Sequence, residues 1–362
     1  MSETLALEKH ACPACGAQAV WNPVQRRLVC AFCGTASPYE LDPESGIVRE
    51  IDLVQTLREM PAELRGWQAE KRTVRCRSCK AVSVFDPGRV GQNCDFCGSP
   101  ELVDYEEIQA PLRPQSLLPF KVDEARIRES LRRWFGSRWF APGELESSAL
   151  IDQVHGIYLP YWTFDAQARC PWTAEAGTYY YAQEGYRDSQ GRRRTRTVRH
   201  VRWRPSSGVV EHHFDDEPVP GTQGVDLALL RAVEPFPTND LVPYDTAYLS
   251  GFVVEHYQVV LIDAARQSRL QMERRLRDLC VHQIPGDTYR NLEISPQYSG
   301  ETFKHVLVPV WLLTYDYHGR SYQVVANGYT GAIAGRHPRS GWKIFFLVLA
   351  IVLAVALVVA LS

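Results

Sequence analysis

Eight of the ten cysteines stand in four C-x-x-C pairs: Cys12 with Cys15, Cys30 with Cys33, Cys76 with Cys79 and Cys94 with Cys97. Fourteen residues separate the two pairs of each set, and every cysteine of the first set recurs 64 positions later in the second, with Phe32 and Phe96 at the same place. That is a duplicated module. A C-x-x-C turn aims two thiolates at one ion while its backbone amides help neutralise them, and two such turns on facing hairpins make a zinc ribbon. The spacing predicts two structural Zn2+ ions. Four protein ligands leave no position for a water, so a structural role is expected over a catalytic one. A ribbon of this size has almost no apolar core, and its metal supplies on the order of 10 kcal/mol of folding free energy. Gly16, Gly34 and Gly98 follow the second cysteine of their pairs, where positive φ is called for, and Lys80 takes that place in the remaining pair.

A second constellation is basic. Gly191 to Trp203-Arg204 carries Arg192, Arg194, Arg196, Arg202 and Arg204, which strand alternation places on one face with Val198 and His200. Three readings stay open for it: a solvated edge strand, a surface for anionic lipid headgroups or an acidic partner, and a nucleic-acid contact. The run Glu211-His212-His213-Phe214-Asp215-Asp216-Glu217 has metal-like composition, but neighbours on a strand point apart, and a solvated loop is the expectation. Cys170 and Cys280 read as small buried hydrophobes. Residues 1–110 hold 12 Lys+Arg against 16 Asp+Glu, a net −4 that thiolate-bound zinc makes more negative, so the ribbons are better suited to protein than to phosphate. No phosphate-binding glycine loop, H-E-x-x-H or G-x-S-x-G motif is present, and the expectation is a non-enzymatic protein.

The elements that position these groups follow from periodicity. Residues 1–40 and 73–105 form the two ribbons, joined by a linker over 41–72 in which Asp52 to Trp67 reads as a short helix interrupted at Pro61. Residues 106–340 form a body with an internal repeat, about 115–215 and 245–335. Each copy opens with a helix, one capped by Asp123 and bearing Ile127, Leu131, Trp134 and Phe135, the other capped by Asp263 and bearing Met272, Leu276, Leu279 and Cys280. A related strand follows each helix: Ile157 to Asp165 echoes Val306 to Asp316. Both then run into β-rich sequence, Thr178 to Gly185 and Tyr322 to Gly331, with Tyr179, Tyr180 and Tyr181 expected in a sheet core. The fold class is α+β: two zinc ribbons, two helix-plus-antiparallel-sheet repeats, then one helix at 342–361. Ile344 to Leu361 contains only Ile, Phe, Leu, Val and Ala, 18 residues or about 27 Å of helix, which predicts a single C-terminal transmembrane span. Arg336, His337, Arg339 and Lys343 precede it, with Trp342 at the interface, so the upstream chain is expected in the cytoplasm at the inner face of the membrane. The opening MSETLALEKH has no secretory character.

Taken together, the chain resembles bacterial double zinc-ribbon, tail-anchored membrane proteins of the TFIIB-type ribbon class, often labelled primosomal replication-helicase-like. The resemblance is carried by the duplicated CxxC…CxFC ribbons, Leu118-Pro119-Phe120, Trp139-Phe140-Ala141-Pro142, Tyr158-Leu159-Pro160-Tyr161-Trp162, Trp203-Arg204-Pro205-Ser206-Ser207-Gly208, Phe214-Asp215-Asp216 and Val325 to Gly331. The last is similar to the family's asparagine-glycine-glutamine-threonine-glycine turn, with Tyr329 in place of glutamine. What the resemblance implies is a membrane adaptor or scaffold that docks protein partners, in some bacteria encoded near flotillin-like and phage-shock-type coiled-coil proteins. The alternative is a membrane-tethered nucleic-acid-binding protein, although the sequence lacks a helicase motor.

Overall fold

The two related strand segments lie side by side. In the computed structural model, which describes residues 11–37, 48, 50–58, 72–79, 81–85, 94, 96, 99, 102–104, 112–142, 145, 151, 153–187 and 189–361, Tyr158 faces Pro309, Leu159 faces Val308 and Pro160 faces Leu307 in an antiparallel ladder. Leu159 and Val308 are equivalent residues of the two copies, 149 positions apart, so a local twofold relates the copies about that pair.

In chain order, β1 (Ala19–Asn22) and β2 (Arg27–Cys30) make the first hairpin. β3 (Ile51–Asp52) leads into α1 (Leu53–Arg58), within the helix expected over 52–67, whose later residues fall outside the described ones. β4 (Arg72–Cys76), β5 (Val82–Phe85) and β6 (Leu102–Asp104) form the second ribbon. β7 (Ser116–Leu117) and α2 (Glu124–Gly136) open the body, followed by a hairpin of two long strands, β8 (His155–Arg187) and β9 (Arg193–Pro220). α3 (Leu227–Val233), β10 (Val242–Pro243), β11 (Val253–Glu255) and α4 (Leu261–Gln283) come next. β12 (Thr288–Ile294), β13 (Gln297–Tyr317), β14 (Arg320–Asn327), β15 (Ile333–Gly335) and α5 (Gly341–Leu361) complete the chain. Among the described residues all strands except β1 and β2 join one 13-stranded sheet, so the expected α+β repeats share a single sheet.

The repeat is stitched across the twofold. Trp162 Nε1 donates to Val259 O at 2.8 Å and Trp311 Nε1 donates to Val122 O at 3.0 Å, each indole reaching the segment just before the other copy's helix. Gly221 N donates to Pro160 O and Gly328 N to Pro309 O, while the amides of Gln258 and Val259 meet Gly221 O as those of Lys121 and Val122 meet Gly328 O. Asp123 caps α2 as expected, accepting from Arg126 N. α4 starts earlier than expected: Val260 is its N-cap and Asp263 lies in the first turn. The Trp162 bond at Val259 O anchors that start from outside the local sequence.

β8 passes through three environments. From Ile157 to Ala166 every residue is buried, as in a strand covered on both faces; from Gln167 to Gly177 exposed and inward positions broadly alternate; beyond Thr178 the strand stands out with β9 alone. Tyr180 and Tyr181 are therefore 43% and 69% exposed, not core residues. The 211–217 run is not a loop: it belongs to β9, with a register shift opposite Phe164 to Ala166. The helical backbone of α5 spans 21 residues. Among the described residues no helix is long and apolar enough to cross a membrane; Ile344, Ala356, Leu357 and residues 359–361 of α5 have no described side chain.

Candidate metal centres

One backbone hydrogen bond recurs at all four C-x-x-C pairs. The amides of Cys12, Cys30, Cys76 and Cys94 donate to the carbonyls of Ala17, Thr35, Ala81 and Ser99, each five residues on, at 2.6–2.9 Å. Gly16 and Gly34 adopt φ of 72° and 70°, the conformation expected of them. The Sγ atoms of Cys12, Cys15, Cys30 and Cys33 lie within 4.8 Å of one another, and so do those of Cys76, Cys79 and Cys94. Cys97, the fourth expected ligand of the second set, lies outside the described residues.

The donor set fits a metal ion. Cys12 and Cys33 sulfurs are 3.5 Å apart, Cys15 and Cys30 3.5 Å, Cys79 and Cys94 3.6 Å. A disulfide requires about 2.0 Å, whereas thiolates 2.3 Å from a tetrahedral zinc sit about 3.8 Å apart. These clusters could therefore bind metal. Within the first cluster, Cys33 is held down to about 6, first by the Thr35 side chain, whose Oγ1 lies 3.1 Å from its sulfur, and then by the Thr35 backbone. Cys15 is pushed up to about 12: the Ala17 amide opposes the rise, and the neighbouring thiols of Cys30 and Cys33 outweigh it.

The two ribbons are seated differently. The first stands on the body through Trp21, whose ring is 4.4 Å from Tyr248 and whose amide donates to Ser250 O, while Ser250 Oγ donates to Ala19 O at 2.7 Å. Its cysteine turn faces outward, with Phe32 87% exposed. The second is built into the sheet, Val84 pairing with Val254 and Ser83 with Glu255 of β11. Its Phe96 is fully buried, and Phe96 O accepts from Thr314 Oγ1 at 2.5 Å and Gln323 Nε2 at 3.1 Å. Glu255 beneath it is fully buried, and burial raises its carboxyl to about 8, so it is mainly protonated at neutral pH and adds little negative charge beside the thiolates.

A third group of ligand-type residues, Asp165, Asp215 and Asp216, comes together at the β8–β9 register shift. Lys304 already supplies a cation there, its Nζ 2.6 Å from Asp216, 3.5 Å from Glu50 and 4.0 Å from Asp165. Burial raises the Asp165 carboxyl; Lys304 is also raised, because its carboxylate neighbours outweigh its own burial. Sequence reading missed this cluster, since its members are scattered over 50–304, and it missed the approach of Cys170 to Cys280, whose buried sulfurs are 3.9 Å apart. Arg192, Arg194, Arg196, Arg202 and Arg204 are all exposed near the far end of the long hairpin, where register adds Arg187, Arg193 and Arg199 to the same segment. Arg193 and Arg199 belong to the same basic run of sequence, and only the ladder register brings Arg187 beside them. Trp342 is exposed against Phe345, and Lys343 Nζ hooks back to Ala141 O at 2.7 Å.

Over 334 residues, 92% of this chain and 91% of the other, the sequence is 21% identical to the uncharacterized protein YdjG of Bacillus subtilis strain 168. No family model matches the chain. No solved structure matches it.

Proposed function

We propose that this chain is a non-enzymatic, membrane-held adaptor, with zinc in both cysteine clusters, α5 as a single tail anchor, and the rest of the chain in the cytoplasm. One observation carries the reading: the root of α5 and the tip of the β8–β9 hairpin sit at opposite ends of one sheet. The root is tied by Ser340 N to Phe140 O and by Lys343 to Ala141 O, next to the Tyr315 end of β13, where Leu312 faces His155 at the start of β8. The tip, Arg187 facing Arg193, lies 32 residues further along β8, about 100 Å of strand path at 3.3 Å per residue. A sheet built this way carries contact surfaces away from its anchor.

The anchor reading is supported by 18 successive apolar residues in a helical backbone, with Phe345, Phe346 and Ile351 about half exposed. Zinc is favoured by the four-thiolate set and the cytoplasmic topology the anchor gives. Docking of protein partners is assigned to the outward turn of the first ribbon around Phe32, because the matching Phe96 of the second is already used by the body. Flotillin-like and phage-shock-type coiled-coil proteins, implied by resemblance, are the partners to test there.

The test is fractionation of cells expressing the full chain and a version ending at Ser340. The full chain should stay in membranes through a carbonate wash and the shortened one should move to the soluble fraction. Equal release of both by carbonate would sink the anchor reading.

A further inference from the structure

Beyond Gly177, where β12 stops pairing with β8, no third strand flanks the long hairpin among the described residues. What remains is a two-stranded arm that runs from Thr178 to the facing Arg202, about 33 Å long at 3.3 Å per residue. A lone hairpin this long gains little stability from itself. Its stretch of sequence, 178–202, carries seven arginines against Glu184 and Asp188, a net +5 in a protein whose whole charge is −2, and Arg204 follows at its base.

The distribution of that charge selects the partner. Residues directly opposed in an antiparallel ladder share a face, and the register runs unshifted from Ala166 opposite Phe214 to Arg187 opposite Arg193. Arg194, Arg196, Arg202 and Arg204 therefore lie on one face, and Arg187, Arg193 and Arg199 on the other. All seven are exposed. Tyrosine rings support two of the guanidinium groups, with Arg199 4.3 Å from the Tyr179 centroid and Arg202 5.4 Å from Tyr180, while Arg196, 5.7 Å from Tyr186, also meets Glu184 Oε2 at 3.5 Å. Stacking on a ring leaves the N–H edge of a guanidinium directed outward, which is the geometry that clamps phosphate.

A bilayer surface or a flat acidic patch would meet one face and leave the other three or four arginines in water. A nucleic-acid groove has phosphate on both walls, and the major groove of B-DNA, about 12 Å wide, admits a two-stranded β-ribbon. The position of the arm, at the far end of the sheet from α5, also carries it away from the anchor's own membrane; this point alone rests on the anchor reading. We propose that the β8–β9 arm binds duplex DNA through its phosphates, inserted as a ribbon with both faces engaged and with little base specificity.

The experiment measures fluorescence anisotropy of a labelled 30-base-pair duplex with the full chain in zwitterionic detergent micelles, from 50 to 200 mM salt. Polyglutamate is the competitor, and sedimentation with anionic vesicles is run in parallel. With about six phosphates neutralised, affinity should fall on the order of 10³-fold across that range. Arg194→Gln with Arg202→Gln, and separately Arg193→Gln with Arg199→Gln, should each lower the log–log salt slope by about 2. Unchanged circular dichroism confirms that the surface changes leave the fold intact. A slope change in only one pair, displacement by polyglutamate at equal charge, retention on vesicles without duplex binding, or no binding to any probe would each overturn the proposal. Loss of membrane fractionation with duplex binding intact would count against the anchor and not against the arm.

Discussion

The two ribbons are the same device placed in two mechanical situations. Both have the amide-to-carbonyl turn five residues wide at each C-x-x-C, and both gather thiols to tetrahedral spacing. Yet the first touches the body with a tryptophan and leaves its phenylalanine in water, whereas the second gives its phenylalanine and a whole strand edge to the body. One hydrophobic cluster holds Cys76, Ala81, Cys94 and Phe96 together with Ile157, Leu159 and Val310 of the central strands, so the second thiol cluster and the sheet share a core on that side. The first ribbon contributes Ala19, Trp21 and Leu28 to the opposite face but keeps both of its knuckles outside. A metal that closes a peripheral hairpin and a metal that closes part of the main core should be worth different amounts to the whole fold.

The largest effect expected from that difference is on metal removal. A thiolate-held metal contributes on the order of 10 kcal/mol to a ribbon that cannot fold without it. Cys94→Ser should therefore unseat β4 to β6 and broaden or abolish the cooperative unfolding of the body, with loss of the near-ultraviolet dichroism of its packed aromatics. Cys30→Ser, the same change in the first ribbon, should lower metal content by one ion and leave the body's transition within a few degrees. Equal collapse in both variants would show that the first ribbon is also integral, and the comparison would fail.

Next in size is the pair of phenylalanines. Truncating a fully buried phenylalanine costs about 3–5 kcal/mol, so Phe96→Ala should lose that much in urea titration at constant metal content. Phe32→Ala, at 87% exposure, should stay within about 0.5 kcal/mol of the parent. A destabilisation of more than about 1 kcal/mol by Phe32→Ala would mean that Phe32 is packed in solution, against the body or another copy.

This asymmetry marks the limit of what the residues alone disclose. The thiol spacing, the positive φ of Gly16 and Gly34, the repeat and the Asp123 cap are patterns written in the chain, and each is present among the described residues where its sequence puts it, Cys97 and Gly98 lying outside them. The start of α4 is not local, because an indole 97 residues away meets the carbonyl that precedes it. Tyr179 to Tyr181 have strand-core composition but lie where β8 has outrun the layers that cover it. Phe32 and Phe96 occupy the same place in one motif, and only the seat that the body offers, set by residues more than a hundred positions downstream, makes one core and the other surface. The lysine-filled acidic cluster is illegible for the same reason, since strand register alone brings Asp165, Asp216 and Lys304 together.

The smallest effect tests the seats themselves without touching a ligand or a large side chain. Each ribbon rests on a glycine. A Cβ on Gly224 would fall 2.7 Å from Ala81 Cβ and 2.9 Å from Phe96 Cδ1, and a Cβ on Gly251 would fall 2.8 Å from Val20 Cβ. Overpacking of this kind costs about 1–3 kcal/mol when neighbours must shift. Gly224→Ala pushes against the shared core, so its cost should appear in global unfolding. Gly251→Ala also strains a backbone at φ 90°, but what it pushes on is a peripheral hairpin that can move away. Its effect should be local: faster hydrogen exchange in β1 and β2, with the body's unfolding free energy changed by less than that of Gly224→Ala. Exchange that speeds up in the central strands as much as in β1 and β2 would mean that the first ribbon, too, is part of the main cooperative unit, and that the two copies of the motif differ in what they expose but not in what they hold.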